Sequence, residues 1–327
     1  MIPEAKIDEA LAALFGQLEF TAQPAGLYDP LRYMIAIGGK RLRPRLALLT
    51  YSLYQDVFTD AILQPAAALE VFHNYTLIHD DVMDRSDLRR GVPTVWKKWD
   101  LNTAILSGDA MFVDSFRRMS ALPQQVMREG LEMFCNTAAQ VMEGQQYDME
   151  FETRRDVTRA QYMEMIGLKT GVLLACASTL GALVGGASQH DCDSLYEYGY
   201  NLGLAFQVTD DYLDEYGDEQ VFGKPIGGDI VNGKQNWLAV HAREKADPAQ
   251  REALERAFAL PVDTPEQRKA KIDAVMALYA ALGIEEDAKY EILRLNEKAL
   301  EFASAACSGI RLESLRRFAE KLVGRSR

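Results

Sequence analysis

LIHDDVMD, residues 77–84, and FQVTDDYLD, residues 206–214, carry the same word, Asp-Asp-x-x-Asp, each time behind an apolar run with helical spacing. A helix turns about 100° per residue, so positions i and i+4 share a face. Asp80 and Asp84 are expected to project together with Asp81 beside them, and Asp210, Asp211 and Asp214 likewise. Two like charges ~5 Å apart cost roughly 3 kcal/mol at an effective dielectric of ~20, so such a group calls for a cation. Oxygen-only ligands suit a hard ion, and Mg²⁺ takes one or two carboxylates and completes its shell with water and substrate phosphates. With 24 Asp in 327 residues, random order gives about 0.1 copies of the word. A solvated acidic helix end accounts for one copy more easily than for two. A calcium loop needs a central Gly and a closing Glu, which both words lack.

Around these words the pattern is helical, and alternating strand patterns are scarce. Helices are expected over 7–20, 31–37, 44–54, 65–83, 104–119, 123–150, 158–170, 172–185 and 193–216, and again from 235. Loops are expected at 24–30, 88–93 and 217–233, with a break at 261–264. The glycines of the 217–233 segment mark it as a mobile lid. Residues 1–327 are read as one all-α domain, with the two acidic helix ends facing a shared central cavity. Composition is ordinary for a globular chain, 48% hydrophobic and 26% charged. A net charge of −12 without a basic, aromatic-interleaved stripe argues against nucleic-acid binding. Cys135, Cys176, Cys192 and Cys307 form no CxxC pair and read as reduced thiols, which points to the cytoplasm. The amphipathic, acidic N-terminus has no signal core. The uncharged stretch 171–187 reads as a buried core helix rather than a membrane span.

Polar and cationic groups gather near the acids. His73, Thr76, Asp80 and Asp84 form one stripe on the first acidic helix, and Gln207, Asp210 and Asp214 repeat the design on the second. GGKRLRP, residues 38–44, sets Lys40, Arg41 and Arg43 behind a glycine pair. Gly39 lets backbone approach a ligand, and arginine binds phosphate bidentately. Arg89 and Arg90 follow the first word, Lys169 and Thr170 end a helix, and Lys224 and Lys234 lie beyond the second word. Each alone reads as a surface charge. Together they fit two anionic groups, one bridged through metal and one held by cations alone.

These words in this order make the chain resemble the trans-isoprenyl diphosphate synthases of the polyprenyl synthetase family: GGKRLRP, LIHDDVMD with LRRG, Lys169-Thr170, FQVTDDYLD and GKPIGGDIVNGK. The resemblance covers roughly residues 35–240. It implies an all-α isoprenoid synthase bundle, a homodimer, and Mg²⁺ as cofactor, three ions per site. It implies that Asp80, Asp84 and Asp210 hold metal on the allylic diphosphate, with Asp81, Asp211 and Asp214 supporting. Lys40, Arg43, His73 and Arg90 would bind isopentenyl diphosphate. Arg89, Lys169, Thr170, Gln207, Lys224 and Lys234 would contact the allylic partner. Gln235-Asn236 departs from the family's usual basic-x-Thr start, which leaves the detail of that loop open.

The implied chemistry is ionisation of an allylic diphosphate, with clustered cations stabilising charge on the leaving group. The carbocation is then attacked by isopentenyl diphosphate, and water must be excluded. No side-chain nucleophile is required, and no G-x-S-x-G word occurs. Tyr75 lies five residues before Asp80, ~7.5 Å back along the helix. In the family a large aromatic there floors the product pocket, and Thr76 beside it resembles enzymes making twenty-carbon geranylgeranyl diphosphate. Helical angle places Thr76 more nearly beneath Asp80 than Tyr75. A farnesyl diphosphate synthase is the near alternative. A class I terpene cyclase would carry Asn/Asp, Ser/Thr and Glu in its second motif, and a non-catalytic synthase subunit would tend to lose one acidic word.

Overall fold

The computed structural model describes residues 1–217 and 226–324. They fall into two compact units, Met1–Cys135 with Cys176–Tyr196, and Asn136–Ala175 with Glu197–Arg327. Among the described residues the only strands form one two-stranded hairpin, and the remaining regular structure is helical. The all-α expectation is met.

The first unit opens with α1 (Glu4–Gly16), α2 (Ala25–Ile37), α3 (Leu42–Ser52) and α4 (Asp60–Met83). The hairpin strands β1 (Leu88–Arg89) and β2 (Val92–Pro93) follow, then α5 (Val95–Lys98) and α6 (Leu101–Met119). α4 packs against α6 and α3. Leu31, Met34, Leu46, Leu48, Ile62, Phe72 and Phe134 are fully buried there, each stabilising the fold by roughly 1.5–3 kcal/mol. α7 (Met127–Glu152), α9 (Val172–Gly185) and α10 (Gln189–Tyr216) contain the unit boundaries. α8 (Arg159–Ile166) lies in the second unit, with the helices Gly228–Asn232, Trp237–Lys245, Pro248–Phe258, Pro265–Leu282, Ile284–Ala306 and Gly309–Val323. Trp237, Leu238, Val240, Val275, Tyr279 and Ile284 centre its core.

Four sequence expectations are corrected. Residues 24–30 are not a loop. The Gln23 side chain accepts from the Ala25 N–H at 3.0 Å and starts α2 there, and Pro30 sits inside that helix, buried. Residues 88–93 are a hairpin, because Arg90 (φ 53°) and Gly91 (φ 78°) both take the left-handed backbone of a two-residue type I′ turn. The helix expected over 158–170 ends at Ile166 and continues as a π turn, Gly167–Gly171. The 217–233 segment contains the short helix Gly228–Asn232, while its residues 218–225 lie outside the described residues.

Capping explains several starts. Asp100 accepts from the Thr103 N–H at 2.9 Å and sets α6. Thr158 with Gln161 forms a capping box on α8, and Asp247 with Gln250 and Thr264 with Gln267 do the same later. The stretch Arg159–Gly185 is long and apolar enough to cross a membrane, but 89% of its apolar window is buried, as for a core helix. The four cysteines are free.

Candidate active site

In the first unit α4 delivers the first acidic word at its C-terminal end. Asp80 and Asp84 share a face there, and the Asp84 N–H donates to the Asp80 carbonyl at 2.8 Å. Asp81 points inward and is 1% exposed. Arg89 grips both its oxygens, Nε at 2.8 Å and a terminal nitrogen at 2.7 Å. Burial raises the Asp81 carboxyl, and the Arg89 bond opposes the rise. Asp81 is thus held by Arg89, while Asp80 and Asp84 are the carboxylates that share the helix face. Among the described residues no three acidic, histidine or cysteine side chains form a metal-enclosing group. That donor set suits an ion which keeps water and substrate oxygens in its shell, as Mg²⁺ does.

Cations surround this end. Gly39 lies so close to Arg90 that a Cβ would come within 2.9 Å of both terminal guanidinium nitrogens. The GGKRLRP loop thus lies against the far end of the Arg90 side chain. Arg41, at the N-cap of α3, and Arg90, in the hairpin turn, both hold left-handed φ, 49° and 53°, uncommon for residues other than glycine. Beneath them Glu70 is 5% exposed. Its carboxyl is raised by burial and lowered by Arg43, Arg90 and Arg41. Burial brings the Arg43 guanidinium down to about 10, and Glu70 opposes the fall. His73 is held well below the ordinary imidazole value by burial, then by repulsion from Arg43, Arg89 and Arg90. Lys40 is exposed at the rim.

Further down α4 lies an aromatic cluster. The Tyr75 ring centroid is 5.1 Å from Phe112, 5.4 Å from Phe72 and 4.8 Å from His79. His79 approaches the Ile105 carbonyl at 3.1 Å and fills the space left by Gly108, where a Cβ would lie 2.2 Å from its Nε2. Thr76 donates to the His73 carbonyl at 2.8 Å.

The second unit builds the second word on α10. Asp211 is 4% exposed. It accepts from the Tyr162 hydroxyl, the Trp237 N–H at 2.9 Å and Gln207 Nε2 at 3.2 Å. Burial and then Asp229 push its carboxyl up to about 7, and these bonds oppose the shift. Thr170 donates to Gln207 Oε1 at 3.1 Å, so one chain of hydrogen bonds links the π turn to the second word. Asp214 accepts from the Asp229 N–H at 2.8 Å. Asn236 binds Asp229 at 3.1 Å and accepts from the Ala239 N–H at 2.9 Å. Asn236 thus caps Trp237–Lys245, a task asparagine performs about as well as threonine. Asp210 is partly exposed and Lys234 exposed, while Lys224 lies outside the described residues. The Lys169 ammonium bonds Asp148.

Unit by unit, the sequence-predicted residues divide cleanly. Gly39, Lys40, Arg43, His73, Tyr75, Thr76, Asp80, Asp81, Asp84, Arg89 and Arg90 belong to the first, and Lys169, Thr170, Gln207, Asp210, Asp211, Asp214 and Lys234 to the second. Sequence reasoning missed Glu70, Asp148, Tyr162, Glu215 and Asp229. Glu70 sits one turn before His73 on the polar stripe, a signal that was readable. Tyr162 offers none, since its contact with Asp211 spans 49 positions. Glu215, 2% exposed, is pushed up to about 9 by burial, then by Asp214 and Asp229.

A family model described as polyprenyl synthetase matches residues 24–278. A geranylgeranyl diphosphate synthase of Methanosarcina mazei is 41% identical over 244 residues, 74% of this chain and 72% of that one. A geranylfarnesyl diphosphate synthase of Natronomonas pharaonis is 38% identical over 240 residues, 68% and 70% of the two chains. The crystal structure of a geranylgeranyl pyrophosphate synthase superposes with a TM-score of 0.93 at 40% identity, covering 100% of both chains.

Proposed function

The chain belongs to the polyprenyl synthetase family, and from that membership we propose a prenyltransferase that condenses isopentenyl diphosphate with an allylic diphosphate to give geranylgeranyl diphosphate. The observation that carries the reading lies within the first unit. A carboxylate pair, Asp80 and Asp84, stands beside a set of cationic side chains tied to it through the Asp81–Arg89 pair and the Gly39–Arg90 contact. One diphosphate would be held through carboxylates and metal, the other by cations alone. That is the division the condensation requires.

Asp80 and Asp84 in the first unit, and Asp210 in the second, would hold Mg²⁺, which when bound would supply positive charge to the leaving diphosphate. Arg89 in the first unit, and Lys169, Thr170, Gln207 and Lys234 in the second, would orient the allylic substrate. Lys40, Arg43, His73 and Arg90 fix isopentenyl diphosphate by charge-assisted bonds. His73 stays neutral and contributes hydrogen bonding rather than charge. Tyr75 floors the product pocket. Both aspartate words serve one reaction, so the whole chain acts as one catalytic domain, in the cytoplasm and as a homodimer. Relatives named for different products share near-equal identity with the chain, so product length is decided by pocket residues rather than by overall similarity.

The test incubates the pure protein with Mg²⁺, isopentenyl diphosphate and dimethylallyl, geranyl or farnesyl diphosphate, then sizes the products. A twenty-carbon product that disappears on chelation of the metal is expected. Absence of any elongated product overturns the assignment.

A further inference from the structure

Lys169 is fixed twice by the same helix. Gly144 of α7 lies directly under its backbone, where a Cβ would sit 2.4 Å from the Lys169 nitrogen and 2.8 Å from its Cα. One turn further along α7, Asp148 takes the Lys169 ammonium at 2.5 Å. Residues four apart share a helix face, so one strip of α7 seats both the main chain and the side chain of this lysine. The pair is partly enclosed, with side-chain exposures of 27% for Lys169 and 33% for Asp148, unlike the fully exposed pairs that contribute little.

We propose that Asp148 is the positioning residue of Lys169 in the allylic diphosphate subsite, an inference resting on the role given to Lys169 above. A lysine stem is flexible and carries a compact charge with three donors. Asp148 takes one donor and restricts the stem before substrate arrives, which lowers the ordering cost of binding. A carboxylate near a diphosphate also repels it. Asp148 stands behind an ammonium it contacts directly, so loss of Lys169 geometry outweighs relief of that repulsion when it is removed.

The experiment is a double-mutant cycle with steady-state constants measured for each substrate. Asp148→Ala is expected to lower kcat/KM for the allylic diphosphate about tenfold and to leave KM for isopentenyl diphosphate unchanged. Asp148→Asn, which keeps an oxygen acceptor and the shape, recovers part of the loss. In a Lys169→Met background, removing Asp148 has no further effect. An equal loss in both backgrounds overturns the positioning role, and so does an equal loss for both substrates. Should the alanine variant not fold, the asparagine variant carries the same cycle. If Lys169→Met alone leaves the allylic constants unchanged, the assignment of Lys169 fails, which is a separate outcome from failure of Asp148.

Discussion

At the scale of single residues, Tyr75 and His73 make the sharpest tests. Tyr75 stands among rings, with Phe112 and Phe72 at 5.1 and 5.4 Å, so its truncation opens space that the next rings still bound. Tyr75→Ala is expected to lengthen the product by at least one five-carbon unit, read by chromatography of the hydrolysed products. An unchanged distribution ends the floor assignment. His73 makes a test by acid. Its folded-state value lies well below 6.5, chiefly through burial. As pH falls through 6.5 the unfolded chain binds the proton first, so stability drops by up to about 1.4 kcal/mol per pH unit, and above 6.5 the group contributes nothing. The loss of Tm between about pH 7 and pH 5 should therefore be smaller in His73→Gln than in the parent. Equal losses would show that His73 is not held neutral. Asp81 shows the limit of spacing at this scale. The i, i+4 rule pairs Asp80 with Asp84, and the intervening aspartate goes to the interior because Arg89, eight residues on, neutralises both its oxygens.

At the scale of elements, the π turn Gly167–Gly171 is the feature that periodicity alone does not reveal. Two close backbone approaches and one side chain hold it. Gly144 meets the Lys169 backbone, Gly203 would place a Cβ 2.6 Å from the Gly171 Cα, and the Tyr200 hydroxyl fills the space at Gly167. A π turn is rare and recurs at functional sites, and here it presents Lys169 and Thr170. Gly144→Ala drives a methyl against backbone rather than a yielding side chain. A cost of ~1–3 kcal/mol is expected, with kcat falling at least tenfold as the turn shifts. Gly26→Ala, with nothing within 4 Å of its Cβ, should be neutral or stabilising. Thermal melts and steady-state rates on both variants check this, and equal behaviour would remove the special status of Gly144. The long helices were legible because their apolar spacing extends over many turns. Element starts were less so. Pro24 and Pro30 read as loop markers, yet α2 begins directly after Pro24, where Gln23 accepts from the Ala25 N–H, and carries Pro30 inside it.

At the scale of the whole molecule, apolar periodicity sufficed for the helical class, and the acidic and basic words named the candidate site residues. What they left out was the supporting layer, Glu70, Asp148, Tyr162 and Asp229, whose roles arise from contacts across many positions. Assembly is likewise invisible to motif reading, but the structure bears on it. Leu101, Ile105, Leu106 and Val113 of α6 are 50%, 40%, 58% and 65% exposed. Their offsets of +4, +5 and +12 from Leu101 keep them toward one side of the helix. Four large apolar side chains open to water toward one side of one helix make it the candidate face for the proposed homodimer. Val113→Lys is the discriminating change. At that exposure a substitution alters folding by no more than ~0.5 kcal/mol, so any loss of assembly is not unfolding in disguise. A buried lysine pair at a symmetric interface, by contrast, would be desolvated and mutually repelled. Sedimentation should find the parent protein dimeric and the variant monomeric with an unchanged helical spectrum. A monomeric parent, or a variant that remains dimeric, would exclude this face as the interface.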